Sequence, residues 1–281
     1  MAIAMITGAS AGLGLEFAWQ LATARHDVIL VARDAARLER LALQLRAAAG
    51  IQVEVLPADL SVPDEVARVA ERLQDRSRPV GLLVNNAGFG LGGKFIGSDL
   101  VEQLRALDVM VRAVLVLSHA ALEPMVERGR GAILNVSSIA ALTAGGTYSA
   151  HKAWVRTFTE GLAVELSGTG VTATALCPGL VHTEFHERAG LEYSELPELA
   201  WLNADQVVAA ALADVRRGVV ISTPSLRYAV ASGLARVLPR KVIRAVSGGL
   251  AKRDAAGERA ASADADADAD ADAASADASG D

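Results

Sequence analysis

Cysteine occurs once in the 281 residues, at Cys177, and aromatic residues make up only 4% of the chain. A single cysteine excludes a disulfide within the chain and fits a reducing compartment. With so few rings among 52% hydrophobic residues, Ala, Val and Leu must build the core, as they do in helices packed on a buried parallel sheet. The apolar start "MAIAMI" has no basic residue ahead of it and runs into a glycine loop, so no secretory leader is expected. No stretch of about eighteen uncharged apolar residues marks a membrane span. A cytoplasmic location is the expectation. The body of the chain also lacks an excess of charge of either sign. The net charge is −6, but residues 261–281, "ASADADADADADAASADASGD", hold seven aspartates and no basic residue, which leaves −6 + 7 = +1 for the rest. A near-neutral body offers no electrostatic footprint for nucleic acid. The tail has no apolar face to bury and repels itself, so residues 251–281 are expected to be disordered, acidic and solubilising.

What is present is an alternation. Seven apolar runs ("AIAMI", "DVILVA", "QVEVL", "GLLVN", "AILNV", "VTATAL" and "VVIST") are separated by stretches of helical period at 13–25, 35–48, 64–75, 99–127, 149–166 and 205–217. Parallel strands need long crossover connections, usually helices, so the pattern predicts an α/β chain. The fold class expected is a single-domain, doubly wound, seven-stranded parallel sheet with helices on both faces, over residues 1–250. Ligands of such sheets bind beyond the carboxyl ends of the strands.

Chemistry-bearing residues collect at those ends. The first strand runs into "TGASAGLG", Thr7 to Gly14. Gly8 permits a tight turn, Gly12 lets the backbone approach a pyrophosphate, and Gly14 lets the following helix pack closely; Ser10 and Leu13 lie in the same loop. Further along, "TYSAHKAW" sets Tyr148 four residues before Lys152, on one face of a helix. A phenol is a poor proton donor at neutral pH, and a neighbouring cation draws its pKa towards the working range.

The spacing TGxxxGxG resembles the short-chain dehydrogenase/reductase family. So do "NNAG" (Asn85–Gly88), "NVSS" (Asn135–Ser138), "CPGLVHT" (Cys177–Thr183) and Tyr148-x-x-x-Lys152, in the family's order over residues 3–223. The resemblance implies a one-domain Rossmann fold that transfers hydride between a nicotinamide cofactor and a carbonyl/alcohol pair, as a homodimer or homotetramer. It implies Tyr148 as the acid/base and Ser138 as hydrogen-bond donor to the substrate oxygen, with Ser137 a lesser candidate. Lys152 would bind the nicotinamide ribose and act on Tyr148. Asp59 would bind the adenine, Asn86 and Gly88 would flank the adenosine ribose, Thr183 would hold the carboxamide or a phosphate, and Pro178 and Gly179 would also contact the cofactor.

Cofactor type turns on "LVARDAARLER", where Arg33 stands at the end of the second strand. An arginine there accommodates a 2′-phosphate and a carboxylate bonds a 2′-hydroxyl, so NADP(H) is expected over NAD(H), although Asp34 is adjacent. One departure from the family is Met110, aligned where a catalytic asparagine usually supports a water relay. A thioether holds water poorly. An NADP(H)-binding protein with little turnover, a sensor or scaffold, is therefore the alternative to an enzyme.

Other features carry less. "HTEFH" spaces His182 and His186 by four, but the acid is misplaced for a zinc site, and no metal is expected. Residues 184–203 fall where the family has a substrate lid, with Phe185, Tyr193 and Trp201 as packing or ligand contacts. The apolar lid suggests a hydrophobic ketone or aldehyde. Residues 225–250 form a basic amphipathic segment with Arg227, Arg236, Arg240, Lys241 and Arg244, suited to covering the fold, an oligomer interface or a membrane surface.

Overall fold

The computed structural model describes residues 3–91, 95–184 and 198–248. The acidic tail, His186, Phe185, Tyr193 and most of the expected lid lie outside them. Strands β1 (Ile3–Thr7), β2 (Asp27–Ala32), β3 (Val53–Pro57), β4 (Val80–Asn85), β5 (Gly131–Val136) and β6 (Val171–Leu176) are the six long elements of one sheet. Two short strands, β7 (Leu180–Val181) and β8 (Trp201–Leu202), pair with each other, and β9 (Ile221–Ser222) closes the main sheet. The seven main strands are all parallel, in the order β3-β2-β1-β4-β5-β6-β9. The expected sheet is therefore the observed one. The β7–β8 pair is an addition, of two residues a side and too short to leave a periodic signal.

Helices are α1 (Gly12–Thr23), α2 (Ala35–Ala49), α3 (Pro63–Gln74), α4 (Leu100–Leu107), α5 (Ala113–Glu127), α6 (Gly146–Glu165), α7 (Ala204–Arg217) and α8 (Leu226–Val237). Residues 240–248 are also helical. Pleating sorts the central strands onto two cores. Ala4, Ile6, Val28 and Leu30 face a cluster with Phe17, Leu21, Leu38, Leu45 and Val208, whereas Met5, Ile29 and Val31 face one with Val69, Leu73, Leu117 and Met125. Helices thus cover both faces, and only the strand ends are left for a ligand.

Between α4 and α5 the five residues Asp108–Arg112 form one π-turn, so Leu100–Glu127 is a continuous helix with a bulge. It is the one helix among the described residues long and apolar enough to cross a membrane, and 56% of its most apolar window is buried in the fold, as in a core helix.

Candidate active site

The glycine loop is built by ties between β1 and β4. Thr7 is buried; its hydroxyl accepts from the N–H groups of Asn86 (2.9 Å) and Ala87 (3.0 Å), and the Asn86 amide donates back to the Thr7 carbonyl at 2.9 Å. Gly8 and Gly12 have φ of +66° and +53°, a left-handed backbone that side chains disfavour. Ala11, at the N-cap of α1, makes no side-chain cap hydrogen bond, which leaves the first-turn N–H groups to other acceptors. Gly8, Ser10, Gly12 and Leu13 line a cavity of about 1800 Å³. The structure does not bring Gly14 to that wall. A Cβ at Gly14 would stand 2.1 Å from the Gly8 carbonyl oxygen, so this glycine acts beneath the loop, letting α1 approach it.

At the end of β2, Arg33 is exposed on the cavity wall and makes no ion pair among the described residues. Its neighbour Asp34 is occupied: its carboxylate caps α2 by accepting from Arg37 N at 2.9 Å and lies 3.5 Å from the Arg37 guanidinium. Arg37 itself lines the cavity, 3.8 Å from Glu184. The sequence reading missed it because its place on the wall depends on how α2 leaves β2. Asp59 is on the wall too, with one carboxylate oxygen taking both the N–H (2.9 Å) and the hydroxyl (2.7 Å) of Ser61.

Ser138, Tyr148 and Lys152 meet on the same cavity. Buried polar ties bring them there. Asn85 donates to Asn135 (2.8 Å) and Ser118 (3.1 Å), and Asn135 donates to Thr159 (2.9 Å), fastening α5 and α6 to β4 and β5. Ser137 and Ser138 take different tasks, as adjacent residues leaving a strand must. The buried Ser137 hydroxyl donates to the Lys152 carbonyl at 2.7 Å and so positions α6. Ser138 caps the short 3₁₀ turn Ile139–Leu142, accepting from Ala140 N at 3.1 Å, and both serines border the cavity. Lys152 is buried; its Nζ donates to the Val136 carbonyl at 2.8 Å and lies 5.7 Å from the centroid of the Tyr148 ring. Burial lowers its pKa from 10.5 to about 8.

Past these residues the wall turns apolar, with Phe89, Leu91, Phe95, Ile96 and Val109, and Arg105 lies over the Phe89 ring at 5.7 Å. Pro178, Gly179 and Thr183 complete it on the β6 side. The short chain dehydrogenase family model matches residues 2–193.

The chain belongs to this family. It is an oxidoreductase of the CH–OH/carbonyl type. Similar solved structures include a short-chain dehydrogenase from Sphingobium yanoikuyae in complex with NADPH, 35% identical with a TM-score of 0.77, over 84% of this chain and 94% of that one. Another is the bulky-bulky ketone specific alcohol dehydrogenase from Comamonas testosteroni (28% identity, TM-score 0.73, 85% and 96% covered). A third, from Burkholderia phymatum, is in complex with NAD (26% identity, TM-score 0.73, 83% and 92% covered).

In this short-chain dehydrogenase, Met110 sits inside the π-turn and is buried. A Cβ at Gly88 would lie 3.3 Å from Met110 Cγ and 3.6 Å from Lys152 Nζ, so the thioether and the ammonium flank the same glycine. Another residue missed from sequence is Tyr228 of α8. Its ring covers Gly179, where a Cβ would fall 2.1 Å from Tyr228 Cζ, and its hydroxyl donates to the Ala200 carbonyl at 2.6 Å. His182 faces Glu198 at 3.0 Å and stacks on Trp201 with centroids 4.8 Å apart. Among the described residues no group of three His, Cys, Asp or Glu side chains is placed to hold a metal ion.

The loop fits a dinucleotide. Gly8 and Gly12 leave the space that side chains would fill, the first turn of α1 presents unsatisfied N–H groups, and the Arg33 cation stands at the adjacent strand end.

Proposed function

We propose that the protein is an NADP(H)-dependent carbonyl reductase or alcohol dehydrogenase acting on a hydrophobic ketone or aldehyde, with Tyr148 as general acid/base. The observation that carries this reading is the convergence of Ser138, Tyr148 and Lys152 with the glycine loop on one cavity. Bound nicotinamide would supply or accept hydride at the carbon of the C–O group. Gly8, Ser10, Gly12 and Leu13 would hold the pyrophosphate, with Gly14 supporting the loop from beneath. Asp59 would take the adenine, Asn86 and Gly88 the adenosine ribose, and Pro178, Gly179 and Thr183 the nicotinamide side.

The residues divide the proton chemistry. The Ser138 hydroxyl donates a hydrogen bond to the substrate oxygen and fixes it near the Tyr148 phenol. Tyr148 gives its proton to that oxygen in reduction and removes it in oxidation. Lys152, held by the Val136 carbonyl, keeps positive charge beside the phenol and favours phenolate when the proton leaves.

Arg33 and Arg37 support NADP(H), since a guanidinium forms charge-assisted bonds to a 2′-phosphate. The neighbouring carboxylate, Asp34, is already engaged at the start of α2. The apolar wall at Phe89, Leu91, Phe95 and Ile96 supports a hydrophobic substrate, as does the specificity named for the Comamonas relative. We read the protein as cytoplasmic and as a homodimer or homotetramer; the exposed apolar residues Leu100, Leu104, Leu107 and Leu115 of the long helix favour assembly.

Met110 is the one observation that favours cofactor binding with little turnover. A panel of ketones and aldehydes assayed with NADPH and NADH decides between the two readings. The reductase reading predicts turnover with NADPH on at least one bulky apolar ketone, and NADPH binding without any turnover across the panel would overturn it.

A further inference from the structure

Helix α8 contains no buried residue, and its apolar side chains stand in water. Leu226 is 82% exposed, Leu234 59% and Val237 78%, with Val230 exposed between them, so that 226, 230 and 234 form one stripe. The helical residues 240–248 expose Val242 and Val246 in the same way while Ile243 anchors them. A helix of this length is marginal in water alone and takes its stability from packing an apolar face. Tyr228 provides the attachment to the body, and the stripe is left uncovered.

Charge defines what could cover it. Residues 224–248 contain Arg227, Arg236, Arg240, Lys241 and Arg244 and no acidic residue. None of these five makes an ion pair among the described residues; Arg227 and Arg240 donate only to neutral oxygens, among them the carbonyls of Trp201 (3.3 Å) and Leu142 (3.5 Å). Two copies meeting through this face about a two-fold axis would press cations on cations. A surface at once anionic and apolar suits it, which describes a bilayer with anionic headgroups. The same helices border the cavity, to which they contribute Tyr228, Arg244 and Ser247.

We propose that α8 and residues 240–248 form a docking face for an anionic membrane surface, from which lipid-soluble ketones or aldehydes enter the cavity. The entry route rests on the reductase reading; the docking does not. Flotation of the purified full-length chain with vesicles of phosphatidylcholine, alone or mixed with phosphatidylglycerol, tests it. The chain should float only with the mixed vesicles and be released by high salt. Arg236→Glu with Lys241→Glu should weaken binding at least about tenfold. Leu234→Ser with Val242→Ser should weaken it too, with the charge intact. Turnover of a water-soluble ketone, measured on the same preparations, should be unchanged in both variants, so that failure of docking and failure of the reductase reading are told apart. The proposal is overturned if the wild type does not float, or if both variants float as well as it does. It is also overturned if Leu234→Ser with Val242→Ser changes the oligomeric state in sedimentation velocity, which would make the face an interface between copies. Retention of a soluble polyglutamate peptide without vesicle binding would assign the face to an acidic polypeptide instead.

Discussion

The Nζ of Lys152 donates to the main-chain carbonyl of Val136 at 2.8 Å. This bond fixes a buried ammonium at the end of β5, next to the phenol of Tyr148, and the fold bears the desolvation of that charge. Lowering the pKa from 10.5 to about 8 corresponds to about 3 kcal/mol. Below pH 8 both folded and unfolded chains are protonated at this site and the cost is present in full. Between about 8 and 10.5 the unfolded chain holds the proton and the folded one does not, so folding stability rises with pH. The wild type should therefore gain stability relative to Lys152→Met as pH rises through that window, on top of a pH-independent cost in the variant from the Val136 carbonyl left without its donor. Denaturant titrations of the two proteins at several pH values check this, and a constant margin would contradict it.

Ser137 and Ser138 should separate cleanly. Ser137→Ala removes the buried bond to the Lys152 carbonyl and should lower stability by about 1 kcal/mol with a modest loss of turnover. Ser138→Ala loses the cap on Ala140 N, so it should lower stability by about 0.5–2 kcal/mol, and it should reduce kcat by about 10²-fold or more, far beyond the Ser137→Ala loss, since it removes a donor aimed at developing charge. The kcat read beside thermal unfolding distinguishes the two, and equal losses of kcat would refute the division of labour.

Cofactor choice should rest on two arginines. Arg33→Asp should reduce NADPH affinity by roughly ten- to a hundredfold, because charge-assisted bonds contribute about 1.5–3 kcal/mol, and should raise NADH affinity, because a carboxylate there can bond the 2′-hydroxyl. Arg37→Ala should give a smaller loss in the same direction, removing the guanidinium beside Asp34 while the Asp34 cap on the backbone N–H of residue 37 remains. Fluorescence titration with both cofactors measures it; equal NADPH and NADH affinities in the wild type would end the NADP(H) assignment.

Met110→Asn tests the missing relay. The position is buried, so an amide there should cost about 1–3 kcal/mol of stability unless it finds partners. Beside Lys152 it should alter the pH profile of kcat without creating activity from nothing. Activity found only in the variant would favour the cofactor-binding reading.

The sequence carries the sheet and the glycine loop because their signals are local. Apolar runs, helix periods and glycine spacing each span a few residues. What could not be read joins distant parts of the chain: Asn85 to Asn135, Ser137 to Lys152 and Tyr228 to Gly179. The motif ranks Ser138 ahead of Ser137, but the bond from Ser137 to the Lys152 carbonyl, made by a side chain that leaves β5 the other way, is seen only in the fold. The π-turn at Asp108–Arg112 has no residue-type signature, so the place of Met110 beside Lys152 became clear only in the fold. The motif reads Gly14 both as a cofactor contact and as the residue that lets the helix pack closely, and the close approach to Gly8 supports the second.

The most direct test of the proposed chemistry is Tyr148→Phe, which keeps the ring and removes only the hydroxyl. With a ketone that the wild type reduces, single-turnover rates and NADPH affinity are measured on both proteins. The expected result is a loss of about 10²–10⁴-fold or more in the hydride-transfer rate with NADPH affinity nearly unchanged. A variant that turns over at close to the wild-type rate would contradict the assignment of Tyr148 as the proton donor.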